Sequence, residues 1–261
     1  MISDYQIVTV DDSNLEEFGF FCVKNKQHPG YIAKRNWLSS RFAEGMRIKL
    51  ILTHDGHHAG FLEYTPGEYT WRVINAPDYM VIHCIWVNSS KFPYKRMSSA
   101  LLNDCIKDAE LNQKAGVAVV TSDGSWMARK DIFIKNHFRQ VDQAAPHFQL
   151  LVKDTGPGKT PFFPQNWNER LKRYQDLQLI YTNQCPYIGK AISELPVVAE
   201  KNGFHLNLVE LTDSKEARKC MVSPYGMFNL IYNGRLLADH AISATRFENI
   251  LKKELRIEVK R

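Results

Sequence analysis

The chain has 261 residues, 44% hydrophobic and 24% charged, with 14 Gly and 11 Pro. These are ordinary globular proportions, enough for two domains each with its own core, and they exclude collagen-like, coiled-coil and disordered classes. Lys and Arg number 34 against 28 Asp and Glu, a net +6; so modest an excess accommodates an anionic ligand without calling for nucleic acid.

In chain order, residues 5–10 alternate as a strand, and 14–25 and 31–44 read as helices, the first offered caps by Asp12, Ser13 and Asn14, the second closed by Gly45. Residues 47–53 form an apolar strand, Asp55-Gly56 a hairpin turn, and 58–65 the partner strand. A further apolar strand covers 79–87. Leu101, Leu102, Cys105, Ile106 and Ala109 share one side of a helix over 98–111. A buried strand is expected at 116–121, a helix at 126–136 and a strand at 149–152. Three prolines and two glycines within 154–164 then mark a linker, followed by a short helix at 166–174 with Asn166 as its cap. The remainder reads strand 177–182, helix 188–202 ending at Gly203, strand 205–211, helix 214–220, a hairpin of 227–232 and 235–238 across Asn233-Gly234, and a helix from Ser243 to 255. The expected division is 1–153, a linker with connecting helix at 154–176, and 177–261.

No run of 18 apolar residues occurs, and Met1-Ile-Ser-Asp-Tyr-Gln6 does not lead from a basic region into an apolar core, so neither a membrane span nor a signal peptide is expected. The cysteines at 22, 84, 105, 185 and 220 are odd in number, irregular in spacing and without a Cys-x-x-Cys pair. That fits a reducing cytoplasm and no structural metal.

One arrangement carries chemistry by pattern. The strand Met80-Val-Ile-His-Cys-Ile-Trp-Val87 runs through a loop containing Lys91, Lys95 and Arg96 into a helix opening at Ser98-Ser99. Strand, loop and helix N-terminus present unpaired N–H groups and a dipole that favour an anion. On the two strands ending nearby lie Glu63 and His83, which by pattern alone read as a surface carboxylate and a hydrogen-bonded core imidazole.

The order of elements, together with Gly19-Phe-Phe-Cys22, Arg41-Phe-Ala-Glu-Gly45, His83-Cys-Ile-Trp-Val87, Val119-Val-Thr-Ser-Asp-Gly-Ser-Trp126 and Ala145-Pro-His-Phe-Gln-Leu-Leu-Val-Lys153, resembles the GNAT superfamily of acyl-CoA N-acyltransferases. It is closest to the YoaP-type members that join a second small module. The resemblance implies a mixed α/β fold with a twisted central sheet flanked by helices, acetyl-CoA as cosubstrate, and direct attack of an amine on the thioester. It makes either Glu63 or His83 a candidate general base, with Glu63 slightly preferred. It puts Trp86 and Val87 along the cofactor, Val87 lending a backbone N–H to the thioester carbonyl. Lys95, Arg96, Met97, Ser98 and Ser99 would lie under the pyrophosphate, and Ser125 and Phe133 on the later helix. Five positions depart from the family pattern. Pro93 stands for its Gln or Arg, and Arg96 and Ser98 for its glycines. Phe133 replaces the tyrosine that protonates the leaving thiolate, which a phenyl ring cannot do. His137 stands for a further glycine.

Residues 177–261, with Gln184-Cys-Pro-Tyr187 and Ser223-Pro-Tyr-Gly-Met-Phe-Asn-Leu-Ile-Tyr-Asn-Gly234, resemble a smaller thioredoxin-like domain, nearest to glutaredoxin in pattern. The resemblance makes Cys185, at the opening of a helix, a candidate reactive thiol, with Pro224 as a cis proline beside it. The second cysteine of a dithiol motif is replaced by Ile188. The expectation is therefore an N-acetyltransferase acting on a small-molecule or peptide amine, with no nucleic-acid or membrane partner and self-association left open. The alternatives are an acyl-CoA-binding regulator and a monothiol redox protein.

Overall fold

The structure, a computed structural model, describes residues 5–124 and 126–255. Close packing divides the chain into two units. One holds the chain up to Lys24 and Leu38–Pro164; the other holds Asn25–Trp37 and the chain from Gln165 on. No composition change marks the segment Asn25–Trp37. What ties it to the second unit is a close backbone approach. A Cβ on Gly30 would stand 2.0 Å from the carbonyl oxygen of Pro186, and one on Gly189 would stand 3.9 Å from the Gly30 Cα.

The first unit carries a seven-stranded sheet. In chain order it comprises β1 (Tyr5–Val10), α1 (Leu15–Phe18), α2 (Pro29–Phe42, whose first turns belong to the second unit), β2 (Arg47–Thr53), β3 (His58–Pro66) and β4 (Tyr79–Val87). Then follow α3 (Met97–Leu111), β5 (Gly116–Ser122), α4 (Asp131–Ile134), β6 (Arg139–Ala144) and β7 (Phe148–Asp154). The strands lie in the order β1-β2-β3-β4-β5-β7-β6, all neighbours antiparallel except β4 and β5. On one face Ile51, Leu62, Tyr64, Met80, Ile82, Val117, Val119 and Leu151 form the core with Leu101, Leu102, Cys105 and Ala109 of α3. The apolar stripe read on that helix is its buried side.

Polar groups cross the edge of this core. Lys49 of β2 is buried, and its ammonium holds Thr9 Oγ1 at 2.8 Å, Asp108 Oδ2 at 2.9 Å and Asp104 Oδ2 at 3.0 Å. The Tyr64 hydroxyl donates to Asp108. Burial, then the neighbouring Cys105 and Asp108, push the Tyr64 phenol far up, so it remains a donor.

Several expectations are corrected. The helix over 14–25 stops at Phe18, because Gly19 takes φ 64° and leaves the helical region. Of the helix over 126–136 only α4 forms, and Trp126, at φ 72°, lies outside the helical region. The strand β6, Arg-Gln-Val-Asp-Gln-Ala, carries no apolar alternation because it is a half-exposed sheet edge.

The second unit contains α5 (Trp167–Leu171), β8 (Leu177–Tyr181), α6 (Ile188–Lys201), β9 (Leu206–Glu210), α7 (Ser214–Cys220), β10 (Phe228–Tyr232), β11 (Arg235–Ala238) and α8 (Ala244–Ile250). Its sheet runs β11-β10-β8-β9, with β8 and β9 parallel and the other neighbours antiparallel. Asn233 and Gly234 both take positive φ, as the Asn-Gly turn requires. Asn166 does not cap α5 with its side chain; its Oδ1 instead accepts from Arg170 Nε at 2.9 Å.

Arg170 in turn closes α7. Its Nη1 donates to the carbonyls of Arg218 and, at 3.0 Å, Met221, while the Tyr174 hydroxyl donates to the Cys220 carbonyl at 2.7 Å. These are carbonyls that a helix end leaves without intrahelical partners, and a guanidinium there also faces the negative end of the dipole. Arg170→Met is expected to cost the second unit about 2 kcal/mol, the range for a hydrogen bond to a charged group. The check is a lower urea midpoint for probes in 177–255; a midpoint equal to the parent's would show that water replaces the guanidinium.

Candidate functional site

The first unit opens a cleft where two parallel strands part. β4 and β5 pair from Tyr79–Gly116 to Ile82–Val119 and no further, although β4 runs on to Val87 against β3 and β5 to Ser122 against β7. A bulge starts the divergence. Tyr64 opposes Ile82 and Glu63 opposes Cys84, so His83 is the extra residue on β4. Such an insertion bends the strand and sharpens its twist. Beyond it β4 no longer pairs with β5, and Val87 lies at the end of β4.

At the mouth of this gap the chain passes through 88–96 into α3. Arg96 sits at the helix start in the left-handed region, φ 62° and ψ 20°. His137 is left-handed too. These are two of the positions where the resemblance aligned glycines, so the glycine backbone geometry is kept by side chains that pay strain of about 1–2 kcal/mol each for it. Lys91, Lys95 and Arg96 are exposed, Ser98 and Ser99 half-buried. The Met97 side chain lies in the core, leaving only its backbone to face the loop. Phe133 also lies in the core, edge-on to Phe138 at 5.5 Å, which explains why an apolar ring is tolerated there. Ser125 lies outside the described residues.

Glu63 and His83 do come together, on the sheet face away from α3, where the bulge turns both His83 and Cys84. Glu63 is only 1% exposed, and its Oε1 lies 3.8 Å from His83 Nδ1. The loop after β3 fixes the imidazole. Trp71 N–H donates to His83 Nε2 at 3.2 Å, the Thr70 hydroxyl lies 3.1 Å from the same nitrogen, and Arg72 Nη2 donates to the His83 carbonyl. A nitrogen that accepts from an amide carries no proton, which assigns the neutral ring's proton to Nδ1, facing Glu63. With its lone pair engaged, Nε2 of His83 is not available to take a proton from another group. Thr70, Trp71 and Arg72 went unread in the sequence; the available signal was a cluster of large polar and aromatic residues in a stretch with no regular periodicity. Gly67 allows the loop to fold back, since a Cβ there would meet the Ala76 carbonyl oxygen at 1.7 Å.

In the second unit Cys185 is half-buried between β8 and α6, and its carbonyl accepts from the Ile188 N–H at 3.2 Å. Asn229 pins the loop of Pro224, accepting from Val222 N–H and donating to Ser223 Oγ, both at 2.8 Å. Ser223–Pro224 is trans; among the described residues the cis bond is Ala145–Pro146. The trans form is the lower in energy unless a turn demands the other. Cys185 and Cys220 are both free thiols.

Among the described residues no helix is long and apolar enough to cross a membrane, and no group of three or more His, Cys, Asp or Glu side chains is placed to hold a metal ion.

No protein-family model matches the chain. Over 251 residues it is 28% identical to the uncharacterized N-acetyltransferase YoaP of Bacillus subtilis (strain 168), covering 94% of this chain and 97% of that one. Solved structures resemble it more loosely. The ribosomal-protein-S5-alanine acetyltransferase of Vibrio fischeri is 10% identical with a TM-score of 0.43, over 61% of this chain and 98% of that one. A putative streptothricin acetyltransferase of Bacillus anthracis, in complex with acetyl coenzyme A, is 16% identical with a TM-score of 0.33, over 42% and 62%.

Proposed function

We propose that this chain, an enzyme of the GNAT N-acetyltransferase type, transfers the acetyl group of acetyl-CoA to a primary amine in the cleft between β4 and β5, with Glu63 as general base. The parting of β4 and β5 beside a buried carboxylate carries the reading, and the end-to-end similarity to a protein named N-acetyltransferase supports it. The residues present fit the cosubstrate. An acyl-thioester arm would run along β4 where it parts from β5, its carbonyl oxygen towards the Val87 N–H, and its phosphates would meet the start of α3 with Lys95 and Arg96.

Glu63 takes a proton from the ammonium. The freed amine attacks the thioester carbonyl, the C–N bond forms, and the tetrahedral adduct expels CoA thiolate. The second nitrogen proton passes to solvent, and the thiolate is protonated from solvent, because Phe133 offers none. The products are the acetamide, CoA and one proton. We read the second unit as thioredoxin-like, an assignment its β9-β8-β10-β11 order supports, and as an accessory to the first.

A calorimetric titration of acetyl-CoA into the parent protein and Arg96→Gly tests the cosubstrate. The parent is expected to bind. Arg96→Gly should relieve left-handed strain and gain about 0.5–1 kcal/mol of stability, while losing affinity because the guanidinium no longer meets a phosphate. No heat of binding at millimolar acetyl-CoA would sink the reading. Tighter binding by Arg96→Gly would keep acetyl-CoA but remove Arg96 from its contacts.

A further inference from the structure

The face that carries Glu63 also carries an aromatic ledge that the transfer step leaves unused. The Phe21 ring stacks on Phe61 of β3 at 5.1 Å and 17°, meets Trp86 of β4 at 4.8 Å and 50°, and stacks on His58 at 6.4 Å. Phe61 is buried beneath, whereas Trp86 is 48% exposed. A wide indole held at a fixed tilt and left half open is a surface for another flat ring, which would gain offset or edge contacts beyond its area.

The strand register sets the distance from ledge to base. Phe61 opposes Trp86, and Glu63 opposes Cys84, two residues on along each strand and on the same face. Residues so related stand about 6.6–6.8 Å apart. A ring on the ledge therefore holds a group one short spacer away beside Glu63. The ledge is also polarised. Its other end is His58, on the far side of Phe61 from Glu63, where burial and the nearby Lys24 ammonium keep the imidazole towards its neutral form. The positive charge at that end is the Lys24 ammonium, which repels a cationic group, whereas a carboxylate at Glu63 attracts one.

We propose that the acceptor is an arylalkylamine, its ring seated on Trp86 and Phe21 and its primary amine beside Glu63. The assignment rests on the acetyl-transfer reading. A linear aliphatic amine would reach Glu63 as well but would leave the indole face open, so the ledge sets specificity and the carboxylate sets reactivity.

The test compares 2-phenylethylamine with n-butylamine as acceptors, following CoA release at saturating acetyl-CoA. For the parent, kcat/KM for 2-phenylethylamine is expected to exceed that for n-butylamine by about tenfold, the ratio that ring stacking supports. Trp86→Leu and Phe21→Leu, each keeping an apolar side chain over the sheet, should bring that ratio to within about threefold of unity. Equal use of the two amines by the parent, or a ratio that survives both substitutions, would overturn the proposal. Turnover of n-butylamine in that case leaves the acetyl-transfer reading standing. Failure of acetyl-CoA to bind removes that reading and this proposal with it.

Discussion

Glu63→Gln is expected to lower turnover of a primary amine by about 10²–10⁴-fold, the range for removing a positioned general base, while acetyl-CoA binds nearly as well as to the parent. The asymmetry follows from placement. Glu63 lies on the sheet face opposite α3, whereas the proposed phosphate contacts lie at the start of that helix, around Arg96 and Ser98. Gln keeps the size and shape of the side chain but cannot take a proton from an ammonium. The rate should recover in part as pH rises, because amine that is already neutral needs no base. That rescue separates a proton-transfer role from a packing role. Equal losses in rate and in acetyl-CoA affinity, with no recovery at high pH, would make Glu63 a structural carboxylate. The imidazole should behave differently. With Nε2 accepting from the Trp71 N–H, its lone pair is already engaged and takes no proton from a substrate.

Much of the fold was legible because its strongest signals are local. The strands at 47–53 and 79–87 and the α3 stripe are periodic apolar patterns on elements that form one core, and pattern alone locates such elements. What failed shares a cause. The helices expected at 14–25 and 126–136 lose residues at Gly19 and Trp126, where φ turns positive; nothing in the residue type of Trp126 announces that. Edge strand β6 has no face to hide and so no alternation. The candidate site divides the same way. Glu63 and His83 were readable as base candidates because each sits on an apolar strand where a titratable group is conspicuous. The preference for Glu63 came only from the resemblance; the engagement of His83 Nε2 was not readable, since it depends on an amide from Trp71, twelve residues before His83, whose direction is fixed by a fold-back at Gly67. Nor was the ledge, because Phe21 reaches Phe61 and Trp86 across long stretches of chain and the register that aligns Trp86 with Phe61 depends on pairing a strand with a bulge in it.

Lys49→Met is expected to destabilise the first unit by about 3 kcal/mol, the low end of what breaking a buried ion pair costs, because Asp104 and Asp108 keep partial contact with water. Methionine matches the aliphatic stem of lysine, so packing against β1 and β3 is preserved and the loss is electrostatic. Removing the ammonium leaves two carboxylates four residues apart on one face of α3, repelling each other across a site otherwise lined by apolar side chains. Thr9 of β1 loses its Lys49 partner at the same time. Tyr64 cannot compensate: its phenol already donates to Asp108 and supplies no positive charge. The measurement is the urea midpoint of the parent, of Lys49→Met, and of Lys49→Met combined with Asp104→Asn and Asp108→Asn. If stranded charge is the cause, the triple variant regains most of the lost stability, because neutral amides accept from Tyr64 without repelling one another. Were packing the cause, the triple variant would stay at least as unstable as Lys49→Met. The comparison therefore assigns this network either to the cement between α3 and β1–β3 or to a tolerated cost of burying lysine there.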